Sequence, residues 1–452
     1  MQKQRKLEPV QTIGQKSVVS NGSCQASLAR IDPFSNEKTE ATLERVLASE
    51  NMQRAWKQVR RNKGAAGVDG LTISSAHPWL HQHWESVKSD VLSGRYVPQP
   101  VKRVDIPKPD GSLRMLGVPT VVDRLLQQAV AQALTPVFDP FFSESSFGFR
   151  PRRSAHQAIQ AAKKYISSGL SWVVDLDLSK FFDRVNHDIL MSLVARKVQD
   201  KRLLKLIRSW LECGMMSEGV VHDRTEGTPQ GGPLSPLLAN IILDELDKRL
   251  EEAGHSFCRY ADDCNVYLRS EQAGKRVMLW MRNFLESKLK LKVNEAKSAV
   301  SRPEARKFLG FSFYRGKRKV KVRVAETSWQ RFKQRVRILT ARRQGCSLED
   351  MIARLNRYLQ GWRGYYRISE IPPEMHKADS WIRRRLRCFL LRQWKRPKTR
   401  ASKLHQLGGR ESWTIISSKG LWRLSQTKAT NSGLKNAFFK EKGLVSLGDA
   451  YA

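Results

Sequence analysis

Between about residues 38 and 300 the apolar positions switch repeatedly between two spacings. Leu43–Val59 and Asp123–Val137 carry apolar residues three and four apart, the spacing of one helical face. Val101–Ile106, Trp172–Leu178 and His255–Leu268 are instead short β-rich runs. After about Arg315 only helical stripes remain. Trp329, Phe332, Val336 and Leu339 form one, Leu348, Ile352, Leu355 and Leu359 a second, and Trp381, Ile382, Leu386 and Phe389 a third. Ser347, three residues before Asp350, reads as the cap of the second helix. Residues 1–37 are polar, rich in Gln and Ser, and aperiodic, which predicts a disordered tail. Beyond residue 400 the pattern weakens. The chain thus divides into a tail (1–37), a mixed helix–strand region (38–314), a helical region (315–400) and a basic extension (401–452).

Charge sharpens this division. The 452 residues hold 81 Lys+Arg against 43 Asp+Glu, a formal net charge of +38. Residues 315–400 alone hold 26 Lys/Arg and 6 Asp/Glu, so +20 of that excess lies in the helical region. Self-repulsion on this scale opposes compaction, and a large polyanion is the natural partner. No apolar run is long enough to span a bilayer and the N-terminus lacks a secretory signal, so the expected location is the cytosol, with no membrane partner. The six cysteines show no zinc-site spacing.

Two carboxylate clusters carry the candidate chemistry. In Trp172–Asp183 a strand places Asp175 and Asp177 at i and i+2, on one face. Further on, Ser256–Tyr260 and Cys264–Leu268 read as two strands bent at Ala261-Asp262-Asp263. Neighbouring strand residues face opposite ways, so Asp262 is expected to be the stronger ligand and Asp263 the more peripheral. Hard oxygen donors without His or Cys suit Mg²⁺, which keeps waters and takes substrate phosphates as further ligands. Two such ions about 4 Å apart serve nucleotidyl transfer. In Val104–Gly117 a Pro109-Asp110-Gly111 turn sets Lys108 and Arg114 on opposite arms of a hairpin, able to converge on an anion. Gly227–Pro236 has the glycines and prolines of a rigid, close-approach loop.

Taken in order, these motifs resemble the reverse transcriptases/maturases encoded by bacterial group II introns. Tyr260-Ala261-Asp262-Asp263 matches the Tyr-x-Asp-Asp signature, and the similarity runs from about residue 41 to 395. It is nearest the compact IIC type without an endonuclease domain, and second-strand cleavage is not expected. The resemblance implies an α+β right-hand polymerase: fingers and palm with an antiparallel palm sheet, then an α-helical thumb or maturase domain. It makes Asp177 the first catalytic carboxylate, because Phe182 stands five positions on, and leaves Asp175 structural. By the same likeness the Leu178 carbonyl helps hold the second ion, Phe182 excludes a ribose 2′-hydroxyl, Lys108 and Arg114 grip the dNTP triphosphate, and Gln230 lies beside the nucleotide. Lys297 stands near the leaving pyrophosphate as a candidate general acid. Arg150 faces the template, and Phe308 and Gly310 belong to the hairpin that grips the primer end.

The helical region corresponds to the family's maturase domain, where Arg383, Arg384, Arg387, Trp394 and Lys395 are candidate RNA-binding residues. The implied partners are an RNA template with a DNA primer, dNTPs, group II intron RNA and target DNA. Two other readings share the motifs: a host-domesticated reverse transcriptase in DNA repair or phage defence, and a splicing chaperone with weak polymerase activity.

Overall fold

The computed structural model describes residues 41–107, 111, 113–217, 219–316, 319–409 and 413–451. The expected tail at 1–37 and Lys108 lie outside them. The first helical stripe is interrupted. A short helix, Leu43–Val46, precedes a longer one, Ser49–Asn62. The Asn51 side-chain amide donates to the Val46 carbonyl at 2.8 Å and to the Ala129 carbonyl at 3.0 Å. It thereby takes the acceptor that a continuous helix would use. The helix expected near Asp123–Val137 runs from Val121 to Phe138 behind a Thr120 cap, and its apolar face is central to the largest core.

Two hairpins form the fingers sheet. β1 (Val101–Pro107) and β2 (Leu113–Val118) pair antiparallel with Ile106 opposite Arg114. After β3 (Trp172–Leu176) come the short strands β4 (Met215–Ser217) and β5 (Val220–His222), and the sheet order is β2-β1-β4-β5. A second sheet contains β6 (Ser256–Tyr260), β7 (Asp263–Leu268) and β8 (Ala299–Ser301) in the order β6-β7-β3-β8, antiparallel throughout. This is the expected antiparallel palm. β3 is central in it, so its C-terminal end meets the β6–β7 turn. β3 stops two residues before the expected Leu178, because the Asp177 amide bonds to Ser298 Oγ at 3.0 Å instead of a strand partner.

A hairpin of β9 (Phe311–Arg315) and β10 (Val320–Val324) leads into the helical region. Its three expected helices are Glu326–Leu339, Leu348–Tyr366 and Pro372–Gln393, and Ser347 caps the second. The boundary drawn at residue 400 is not a boundary in the structure. A helix at Pro397–Gln406 crosses it, and short helices follow from Trp413 to Glu441. Leu404, Ile416, Leu424, Leu434, Phe439 and Leu447 enter the same core as Phe332 and Leu386. The expected basic extension is therefore part of the helical domain, anchored by apolar side chains from successive short turns.

Candidate active site

The β6–β7 turn has two central residues, Ala261 and Asp262, because Tyr260 pairs with Asp263 across the hairpin. Ala261 adopts φ +57°. A Cβ at Gly148 would lie 2.2 Å from the Ala261 nitrogen, so only glycine lets the 143–150 loop pass this close. Asp175 and Leu176 pair with Asn265 and Cys264, which brings Asp177 to the end of the sheet where Asp263 begins β7.

The two β3 carboxylates have different surroundings. Asp175 is ion-paired with Arg306 at 2.6 Å. Arg306 also donates to the Lys297 carbonyl at 2.6 Å, tying that loop to the strand. Asp177 accepts from Asn294 Nδ2 at 2.9 Å, and Lys297 Nζ stands 3.9 Å from the same oxygen with its side chain 63% exposed. Asp262 and Asp263 have no ion-pair partner among the described residues. Burial, followed by the charges of Asp175, Asp262 and Asp177, pushes Asp263 up to about 7. Burial also raises Asp262, with Asp177 adding to the rise and Arg114 opposing it. Half-buried carboxylates raised by desolvation and by neighbouring aspartates, with no ion-pair partner among the described residues, are a fitting donor set for a hard cation. Among the described residues no three such ligands close into a ready cage. A cation that completes its shell with water and phosphate needs none.

The Gly227–Pro236 loop is bonded to both of its neighbours. The Thr228 amide donates to the Phe182 carbonyl at 2.6 Å and the Gly227 amide to the Val185 carbonyl at 2.7 Å. The Gln230 carbonyl accepts from the Gly117 amide of β2 at 3.0 Å. Gly227 has φ +91°, and a Cβ there would lie 2.8 Å from the Phe182 carbonyl oxygen. One loop thus joins Phe182 to β2 through Thr228 and Gln230, and Arg114 of β2 is near enough to act on Asp262. Leu178 is buried and bridges Val293. Gly310, at φ +80°, has no room for a Cβ against Tyr366 Oη, and its carbonyl accepts from Ala325 and Ser328.

Four expected nucleic-acid contacts are placed differently. Arg150 is buried, and its guanidinium bonds to Asp139 and to the Ser143 and Ser146 carbonyls, so it closes the 139–150 loop from inside. Phe308 packs in a core with Phe311 and Ile159. Arg387 is buried and donates twice to the Leu434 carbonyl, and burial lowers it to about 10. Arg384 lies 3.6 Å above the Trp422 ring. Arg383 and Trp394 are partly exposed, and Lys395 is exposed. Sequence reasoning missed Asn294 and Arg306 as partners of the two carboxylates. It also missed the Arg259, Asp247 and Asn240 network beneath the turn. Asn294 lies three residues before the singled-out Lys297, but nothing local marks the other four.

Residues 106–313 match the reverse transcriptase (RNA-dependent DNA polymerase) family, and residues 329–408 match the group II intron maturase-specific domain. Protein YkfC of Escherichia coli is 34% identical over 279 residues, covering 53% of this chain and 73% of YkfC. The group II intron-encoded protein LtrA of Lactococcus lactis subsp. cremoris is 38% identical over 195 residues, 43% of this chain but only 32% of LtrA. A putative COX1/OXI3 intron 2 protein of Saccharomyces cerevisiae is 31% identical over 200 residues, 44% of this chain and 23% of that protein. With its palm, its Asp-Asp turn and its following maturase domain, the chain belongs to the group II intron-encoded reverse transcriptases.

Proposed function

We propose that the RNA-directed DNA polymerase activity of this family runs here on two Mg²⁺ ions held by Asp177, Asp262 and Asp263 with the Leu178 carbonyl. The observation that carries this is the pair of half-buried carboxylates at the turn, which feel the charge of Asp177 and have no ion-pair partner among the described residues. The bound ions would supply activation of the primer 3′-hydroxyl and stabilisation of the departing phosphate oxygen. The chain's own residues do the rest. Arg114, with Lys108, holds the dNTP triphosphate. Phe182 and the loop carrying Gln230 bound the sugar and base, and Lys297 supplies a proton to the pyrophosphate. Among its charged neighbours Asp262 feels Asp177 first, with Arg114 and Arg259 opposing it, whereas Asp263 feels Asp175 first. That difference supports Asp262 as the stronger ligand.

The maturase-specific domain supports binding of a group II intron RNA. The proposed roles are assistance in its splicing and its insertion into target DNA by target-primed reverse transcription. Primer extension on an RNA template tests the site. Asp262→Ala is expected to reduce extension by at least about a thousandfold while RNA affinity is retained. Extension that survives this change would sink the assignment. Sequencing the RNA retained on purification tests the partner, because recovery of host transcripts without intron RNA would favour a domesticated role.

A further inference from the structure

The most deeply buried charge in the palm lies under the Asp-Asp turn. Arg259, on β6, is 1% exposed, and Asp247, on the helix Ser235–Glu252, is fully buried. Arg259 Nε donates to both carboxylate oxygens of Asp247 at 2.7 and 2.9 Å, and Nη2 donates to one of them at 2.5 Å. Nη1 points the other way. It donates to Asn240 Oδ1 at 2.9 Å and to the Ala261 carbonyl at 3.0 Å. Asn240 in turn donates to the Gly148 carbonyl at 2.9 Å, and Gly148 is the residue pressed against the Ala261 nitrogen. The Arg259 main chain is held as well, its amide on the Ser145 carbonyl and its carbonyl under the Phe147 amide.

Stability does not account for this arrangement. A buried ion pair is often matched or exceeded by apolar residues of the same volume, because desolvating two charges offsets much of their attraction. Ala261, by contrast, needs outside support. It is a non-glycine residue in the left-handed region, a conformation disfavoured for any residue with a Cβ, and its methyl group makes no hydrogen bond of its own. The guanidinium fork holds the Ala261 carbonyl from below while the Gly148 loop closes on its nitrogen. Lysine could not reach Asp247, Asn240 and the carbonyl together.

We infer that Arg259 is a positioning residue for the catalytic turn, with Asp247 compensating its charge and Asn240 linking it to the Gly148 loop. It acts through Ala261 to set where Asp262 and Asp263 stand. The inference rests on these two aspartates being the metal ligands.

Three variants test it: Asn240→Ala, Arg259→Lys, and the double change Arg259→Met with Asp247→Leu, which removes both buried charges together. Primer extension is measured as a function of Mg²⁺ and of dNTP, alongside RNA affinity and thermal unfolding. The double variant is expected to unfold within a few degrees of the parent. Its kcat should fall by about 10- to 100-fold and its half-saturating Mg²⁺ should rise several-fold, while dNTP KM and RNA affinity hold. Asn240→Ala should show the same pattern more weakly, and Arg259→Lys should recover only part of the loss. A folded double variant with the parent's kcat and Mg²⁺ requirement overturns the inference. So does a loss of kcat that merely follows the folded fraction in all three variants. Asp262→Ala separates the two readings. If it is inactive and the double variant is normal, only the positioning role fails; if it is active, the site assignment fails as a whole.

Discussion

Phe182 is fixed from two sides. Its ring lies edge-on to Phe181 with centroids 5.1 Å apart, and its carbonyl is held by the Thr228 amide. A ring packed against Phe181 on a pinned backbone is suited to reject an added hydroxyl. Shrinking it to Ala should therefore relax the preference for deoxynucleotides over ribonucleotides by roughly 10- to 100-fold. Competing single-nucleotide incorporation measures that ratio, and an unchanged value would reduce Phe182 to a packing residue. The same scale shows what sequence can and cannot reveal. Asp175 and Asp177 are equivalent by strand period, and only the five-residue step to Phe182 favoured the latter. The structure separates them physically through Arg306, 131 residues from Asp175 in the chain. Arg150 and Arg387 misled for the opposite reason. An arginine's charge is visible in a sequence, but the carbonyls that bury it belong to turns whose path is not.

At the level of elements, periodicity was a good guide wherever a segment ran for several turns or carried a turn signal. The β1–β2 and β6–β7 hairpins and the helices Val121–Phe138, Leu348–Tyr366 and Pro372–Gln393 were all legible in this way. It failed beyond residue 400, because each short helix there contributes only one or two anchors, too few to establish a period. Leu404, Ile416, Leu424, Leu434 and Leu447 are nonetheless fully buried, and Phe439 is 1% exposed. Burying one such side chain contributes about 1.5–3 kcal/mol, so the six together rival the net stability of a domain. A chain ending at Arg400 should accordingly lose the cooperative unfolding of its helical domain and expose apolar surface. A dispensable tail would leave the melting curve unchanged, so calorimetry distinguishes the two outcomes.

Across the whole molecule, the +38 charge is not all available to a ligand. Arg385 bonds to Thr340 and to the Arg337 carbonyl, Arg387 to the Leu434 carbonyl, and Arg400 to the Leu391 carbonyl. These cations hold the helical domain together by satisfying carbonyls at helix ends. Arg392, Lys395 and Arg396 instead stand exposed beside the half-buried Trp394. The two groups should separate in a salt titration. RNA affinity is expected to fall steeply between about 50 and 200 mM salt, with each phosphate contact adding roughly 0.7–0.9 to the log–log slope. Changing Lys395 and Arg396 together to Gln should lower that slope by about 1–2, weaken unrelated RNAs equally, and leave thermal unfolding in place. Arg387→Gln should do the reverse, lowering the melting temperature with little change in slope, because it strips the Leu434 carbonyl of its charged donor. Were the Lys395/Arg396 change to leave the slope untouched, the exposed cations at this helix end would not be phosphate contacts. The polyanion that the net charge demands would then have to lie elsewhere on the basic surface.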